Sequence, residues 1–389
     1  MKTSTSFDHL FIVNLAVLFF ISCKSNEEKS FPKISITVSD SIKIDYLGNL
    51  KLEGYDPQSD QYLLSNEGMM PILEVDSEGK ITRNHQISHE GPDAIPQPGG
   101  LGYLNGDLLI YDMQAGYHKL NRDNSVTQEI QVPYPHSYLV FPPHLPLIKR
   151  TEDEVIYLKP LTDSDFVDGM GEAFFRNYYG KSLLEKLNLK TGNTTSHMEI
   201  PSESIYKDGM NHGIYIPIIK NKGNYWLLST WFDPYIYVYE EHNGEFHLIK
   251  TVDLQLDDLV AYEAVSMKNS DSFYDKNADI RPGNINDILW LDDSIVVVYR
   301  KGLNKNSVNE IKQNYPAEAN VEIEKQDPFY AAVLDKAFNL IDKDVEFPYG
   351  IHYPNVVNTT NDIVSLKHPA LFDAEENYIT LYKMKLQMD

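Results

Sequence analysis

Three groups of residues in this 389-residue chain carry side chains suited to chemistry or recognition. His89, Glu90 and Asp93 fall close together around Gly91-Pro92. A carboxylate pair beside an imidazole can move protons or hold a divalent cation. In a plain connecting link the same carboxylates would instead cap backbone amides. The second group is Phe174-Phe175-Arg176-Asn177-Tyr178-Tyr179, four aromatic rings around one guanidinium, joined by the tight turn Trp231-Phe232-Asp233-Pro234 and by Tyr134, His136 and Tyr138. From these, Arg176, Tyr178, Tyr179, Trp231 and Asp233 are binding candidates with His89, Glu90 and Asp93. Aromatic and Arg groups make recognition hot spots and sugar-stacking platforms, or they pin loops onto a scaffold. The third group is one residue, Cys23, the only cysteine.

Familiar catalytic signatures are missing. The twelve His are scattered, with no His-Glu-x-x-His, no Gly-x-Ser-x-Gly and no phosphate-cradling Gly loop. Asp275-Lys276-Asn277-Ala278-Asp279 begins like a calcium loop, but Ile280 stands where Gly is required and Asn286 where Glu is required. No catalytic residue is assigned, and no cofactor beyond the cation that carboxylates could hold.

The net charge of −23 excludes a nucleic-acid surface, which needs clustered Lys and Arg. A hydrophobic fraction of 42% supports a real core, and 26 Tyr tilt the chain toward β structure. One cysteine excludes a disulfide framework.

Lys2 precedes an apolar run, Leu10 to Ile21, broken only by Asn14. The run is shorter than the roughly 20 residues of a spanning helix and suits a signal-peptide core. It ends at Ile21-Ser22-Cys23, the pattern of a lipoprotein signal, although Phe20 stands where Leu is usual and Asp8 lies in a region that should be basic. Residues 1–22 are read as the signal peptide, Cys23 as the lipidated N-terminus and 23–32 as a tether. Lipid would then be the only membrane anchor.

From Lys33 onward short β-rich runs group in fours, each group divided by polar turns. Five groups are complete, beginning near Leu47, Gly99, His144, Ile214 and Asn286. The sixth offers three strands, His352–Val357, Asp362–Lys367 and Asn377–Leu386. Lys33–Val38 alternates and belongs to no group, so it supplies the missing strand and closes a ring. Radial repetition with closure removes open sheet edges. The expected fold is all-β, a six-bladed β-propeller of four-stranded antiparallel blades over residues 33–389.

In such a ring, first-to-second and third-to-fourth strand turns lie on one face. The other connections lie opposite. The short turns here, such as Asn105-Gly106 and Lys190–Asn193, belong to the first set. The long segments Pro160–Lys181, Pro201–Gly213, Gln255–Ile285 and Lys301–Pro328 belong to the second. Long loops in a compact domain tend to be functional, so the working face is the loop face with its channel mouth.

The lipoprotein start, the blade pattern and His89-Glu90-Gly91-Pro92-Asp93-Ala94-Ile95 resemble the six-bladed propeller lipoproteins of Bacteroidota, a group of domains of unknown function with NHL/TolB-like propellers. Lys24-Ser25-Asn26-Glu27-Glu28 resembles the surface-export signal of lipoproteins in that phylum. This implies an outer-membrane lipoprotein, with the cell surface favoured over the periplasmic face. No catalytic residues come with the resemblance. The expected function is non-enzymatic binding of a glycan, peptide or envelope protein through the loop face. The alternative is a metal-dependent hydrolase or lactonase, similar to gluconolactonases, with a divalent cation at the channel held by groups such as Glu90, Asp93, Asn211 and Asn284.

Overall fold

The computed structural model describes residues 34–66, 68–91, 94–121, 123–138, 145–166, 169–372 and 376–388. Six four-stranded antiparallel sheets form the blades. Each innermost strand packs against that of the next blade, and the sixth against the first, so the ring is continuous. Blade 1 starts with Lys51–Asp56, blade 2 with Pro98–Leu104, blade 3 with Leu147–Arg150, blade 4 with Pro217–Lys222, blade 5 with Arg281–Trp290 and blade 6 with Ile351–Val357. The fourth strand of blade 6 is Ile34–Ile44, which pairs with Ile379–Met388 from Ile34↔Met388 to Ile44↔Ile379, with a bulge between Val38 and Asp40. The expectations that lie on residues 1–33, the signal peptide, Cys23 and the tether, fall outside the described residues, as does Asp93.

The burial pattern explains why these runs become blades. Second strands sit between neighbouring blades and are buried on both faces, so Leu63, Ile110, Ile156, Leu227, Val297 and Val364 lie in continuous apolar runs. Fourth strands alternate: Ile81–His85 buries only His85, and Val126–Gln131 only Ile130. Polar turns close the short-turn face, as at Asn105-Gly106, where both residues take positive φ.

Several strand boundaries differ from the sequence expectation. In blade 1 the inner strand starts at Lys51, not Leu47, and in blade 4 at Pro217, not Ile214. In blade 5 the hairpin Arg281–Trp290 and Ser294–Leu303 continues well past the blade, through residues assigned to loops. Its extension depends on two glycines. Pro282 pairs with Gly302, a Cβ on Gly302 would come 2.2 Å from the Gly283 nitrogen, and one on Gly283 would meet the Lys301 carbonyl at 2.4 Å.

The long connections all leave the same face. Blade 3 inserts α1 (Glu172–Gly180) between its second and third strands. The link from blade 4 to blade 5 carries the single-turn α2 (Phe273–Lys276). Blade 5 inserts α3 (Lys305–Asn314) and α4 (Ala319–Gln326). Asn304 caps α3 by accepting from the Ser307 amide, and Val308, Ile311 and Ile323 pack the two helices together.

Candidate functional site

The inner strands begin at the loop face, and five of the six carry a bulge or register break. Bulges bend a strand and re-aim side chains. In blade 5 the shift falls between Ile285 and Asp287, leaving Asn286 as the extra residue. In blade 6 it spans His352 to Val356, with Tyr353 held at φ 57°. That conformation is unusual for a bulky aromatic and marks stored strain. The two irregular segments meet: the Tyr353 hydroxyl donates to the Asn286 carbonyl at 2.7 Å.

Above them, between blades 4, 5 and 6, lies an open cleft of about 440 Å³. Trp231, Phe232 and Tyr262 supply aromatic lining; Arg281, Arg300 and Glu324 supply charge. Asn284, Asn286, Phe329, Tyr353 and the pair His352 and His368 complete it. A larger hollow of about 850 Å³, reaching toward Tyr46 and Tyr378, shares His352 and His368.

The aromatic lining is fixed by backbone bonds. Thr230 pairs with Asp233 across the tight turn. The Trp231 amide donates to Ile216 and its carbonyl accepts from Ile285 at 2.8 Å, tying the turn to an inner strand. Phe232 and Tyr262 meet edge to face at 5.1 Å, and Tyr262 continues onto Phe273 at 5.4 Å.

The charged lining is a four-member network. Arg281 Nε donates to Asp327 at 2.7 Å and its Nη2 to Glu324 at 2.8 Å; Arg300 Nη1 donates to the other Glu324 oxygen at 2.5 Å. Asp327 also accepts the Gly302 amide at 2.9 Å. The Arg300 guanidinium lies 4.0 Å from the Phe329 ring centre, a cation–π contact. Burial alone would raise Glu324, but Arg300 and Arg281 hold its carboxyl below the usual range. Burial lowers Arg300. His352 and His368 stand edge to face at 4.9 Å. Burial, then the neighbouring His368, pushes His352 down to about 4, with Arg300 and Lys51 adding to the effect against Glu324.

Of the residues singled out from sequence, Trp231, its neighbour Phe232 and Asn284 line this cleft, and Trp231 is the one binding candidate among the described residues that does. Tyr179 is 3% exposed; its hydroxyl donates to the Gly213 carbonyl at 2.7 Å and contacts Asn211 at 3.0 Å. The Tyr178 hydroxyl donates to the Tyr215 carbonyl at 2.6 Å, and the two rings stack at 4.4 Å. Asp233 is fully buried and accepts from Ser204 at 2.5 Å and Tyr237 at 2.8 Å. Burial pushes its carboxyl up to about 6. Tyr179 and Asp233 therefore offer no surface to an outside partner; what they hold is the protein's own loops. Arg176 is exposed and paired with Glu172 one turn away. His89 and Glu90 are exposed, and His89 contacts the Ile95 carbonyl of its own link at 3.1 Å. Asn211 is buried beneath Tyr179, whereas Asn284 lines the cleft. In the calcium-like segment Asp279 pairs with Lys305 and Lys312. Among the described residues no group of three or more His, Cys, Asp or Glu is placed to hold a metal ion.

Sequence reasoning missed Arg281, Arg300, Glu324, His352 and His368. One signal was available: Arg300 directly follows the apolar run Ile295–Tyr299, where a charge needs a partner.

Fold and site together define a six-bladed propeller with a polar, aromatic-lined cleft at its loop-face channel mouth. The sequence matches no family model and no curated protein. Among solved structures, a member of the DUF4221 family from Bacteroides vulgatus aligns with a TM-score of 0.61 and 10% identity, over 92% of this chain and 99% of that one. A Bacteroides fragilis protein assigned as exported aligns with a TM-score of 0.51 and 12% identity, over 90% and 95%. At these identities the likeness establishes the architecture, which agrees with the Bacteroidota propellers that the sequence resembles. No helix among the described residues is long and apolar enough to cross a membrane.

Proposed function

We propose that this protein is a lipid-anchored binding protein of the bacterial outer membrane that captures its ligand on the loop face without turning it over. The carrying observation is that the long connections leave one face and that this face holds the cleft lined by Trp231 and Arg300. A pocket with aromatic walls and a few convergent polar groups is the usual form of a recognition site. The anchor rests on Ile21-Ser22-Cys23. The acidic stretch after Cys23 favours display on the cell surface, and the partner is a glycan, peptide or envelope protein. A glycan array and an envelope pull-down identify the ligand. Trp231→Ala then weakens capture, while Lys80→Ala on the short-turn face leaves it unchanged. Equal effects from both faces refute the assignment. Cys23→Ala releases the protein from membranes; retention with the membrane fraction refutes the anchor.

A further inference from the structure

Three polar atoms around the cleft are buried and have no hydrogen-bond partner among the described residues: Arg300 Nε, Asn286 Oδ1 and His368 Nδ1. Each would lose free energy in a dry interior, and each can be served by water or by a ligand group that enters the cleft. Arg300 is the telling one. It is only 8% exposed, its Nη1 is spent on Glu324 and its plane is fixed against Phe329. The remaining side edge, which Nε shares with Nη2, is the edge that a carboxylate engages with two parallel bonds. Asn286 stands at this site because the bulge of blade 5 leaves it unpaired, and Tyr353 braces that bulge.

We propose that the cleft binds an acidic sugar, its carboxylate on the free edge of Arg300 and its ring against Trp231. This rests on the loop-face binding reading above. Glu324 and Asp327 balance the charge of Arg281 and Arg300, so what favours an anion here is the unpaired donor edge of Arg300 and not a net positive field. Glu324 and Asp327 fix both guanidinium groups in place, so little side-chain freedom is lost on binding. The electron-rich faces of Trp231, Phe232 and Tyr262 suit the polarised C–H face of a pyranose. Asn286 Oδ1 accepts from a ring hydroxyl, and His368 Nδ1 serves as donor or acceptor for another.

Calorimetric titration of the full chain tests this, using digalacturonate and sialyllactose as probes, each beside its methyl ester. One of the two acids is expected to bind, and its ester, which keeps the sugar and removes the charge, to bind at least about tenfold more weakly. Arg300→Gln should lower acid affinity by a similar factor and leave the ester unchanged. Because Arg300→Gln also leaves Glu324 short of a partner, Asn286→Asp gives a second test: it leaves the network intact and should weaken the acid. Equal binding of acid and ester, no binding of either acid to folded protein, or full affinity in both variants overturns the proposal. A neutral glycan lost on Trp231→Ala overturns the acidic sugar and leaves the loop-face reading standing. An acidic peptide that binds in place of both sugars and is lost in Arg300→Gln overturns the sugar assignment.

Discussion

Two aromatic assemblies occupy the loop face, and they are built to opposite plans. Around blades 3 and 4, Phe174, Tyr178, Tyr179, Tyr206 and Tyr215 form a closed stack whose centroid spacings run from 4.4 to 6.1 Å. The hydroxyls of Tyr178 and Tyr179 end on backbone carbonyls of the same loop region. Around blades 4 to 6, Trp231, Phe232 and Tyr262 border an open cleft of about 440 Å³. Both regions are rich in rings beside Arg, and composition does not separate them. Their shape does: the first packs shut against the buried core of blades 3 and 4, whereas the second lines an open hollow between three blades, the form a recognition site takes.

Removing one ring from each region gives the largest contrast. Tyr179→Ala empties a buried site and strands the His212 amide and the Gly213 carbonyl, so unfolding free energy should drop by about 3–5 kcal/mol. Denaturant titration reads this loss. The folded fraction should still bind ligand. Trp231→Ala removes a half-buried ring at the cleft edge and should cost about 2 kcal/mol or more in ligand binding, with a smaller loss of stability than Tyr179→Ala. If Tyr179→Ala abolishes binding in folded protein, or Trp231→Ala destabilises as severely, the two regions do not differ in kind.

The ring itself should be intact in both variants, since it is held elsewhere. Deleting residues 24–44 removes the strand that buries Ile34, Ile36, Ile42 and Ile44 and leaves Ile379–Met388 as an open sheet edge, paired only with Ile363–Lys367. Cooperative thermal unfolding should then be lost, while deletion of residues 24–30 alone should leave it unchanged.

Blade count, face asymmetry and the sixth-blade donor strand were legible because each is written in local pattern: apolar second strands, polar turns at regular intervals and one strand without a group. The cleft was not. Arg281 and Arg300 lie on the two strands of one hairpin, Arg300 opposite Asn284, Glu324 and Asp327 arrive from a helix and its C-cap more than twenty residues further on, and His352 and His368 come from another blade. Nothing in their spacing announces that three blades converge there. The Tyr178-Tyr179 segment was conspicuous in sequence, yet its rings pack inward because α1 turns Phe174, Phe175 and Tyr179 onto the blade.

The smallest expected effects are titrations, one in each region, with opposite sign. Asp233, in the closed region, has its carboxyl raised to about 6 by burial. Between about pH 4 and 6 the folded state holds a proton there that the unfolded chain has released, so this group removes stability as pH rises. His352, at the cleft, is lowered to about 4 by burial and by His368. Between about pH 4 and 6.5 the unfolded chain holds the proton, so this group removes stability as pH falls. Over their common window the two slopes oppose each other at about 1.4 kcal/mol per pH unit each, and the parent hides both. Asp233→Asn should uncover a protein that weakens on acidification more steeply than the parent. His352→Phe should uncover one that weakens less steeply. Because the remaining carboxylates are common to all three proteins, the difference from parent isolates each group. Denaturant midpoints at pH 4, 5, 6 and 7 provide the measurement. Parallel profiles for the three would mean that neither site is as dry as the buried geometry requires. A changed slope in His352→Phe alone would place the desolvated charge at the cleft and leave Asp233 hydrated.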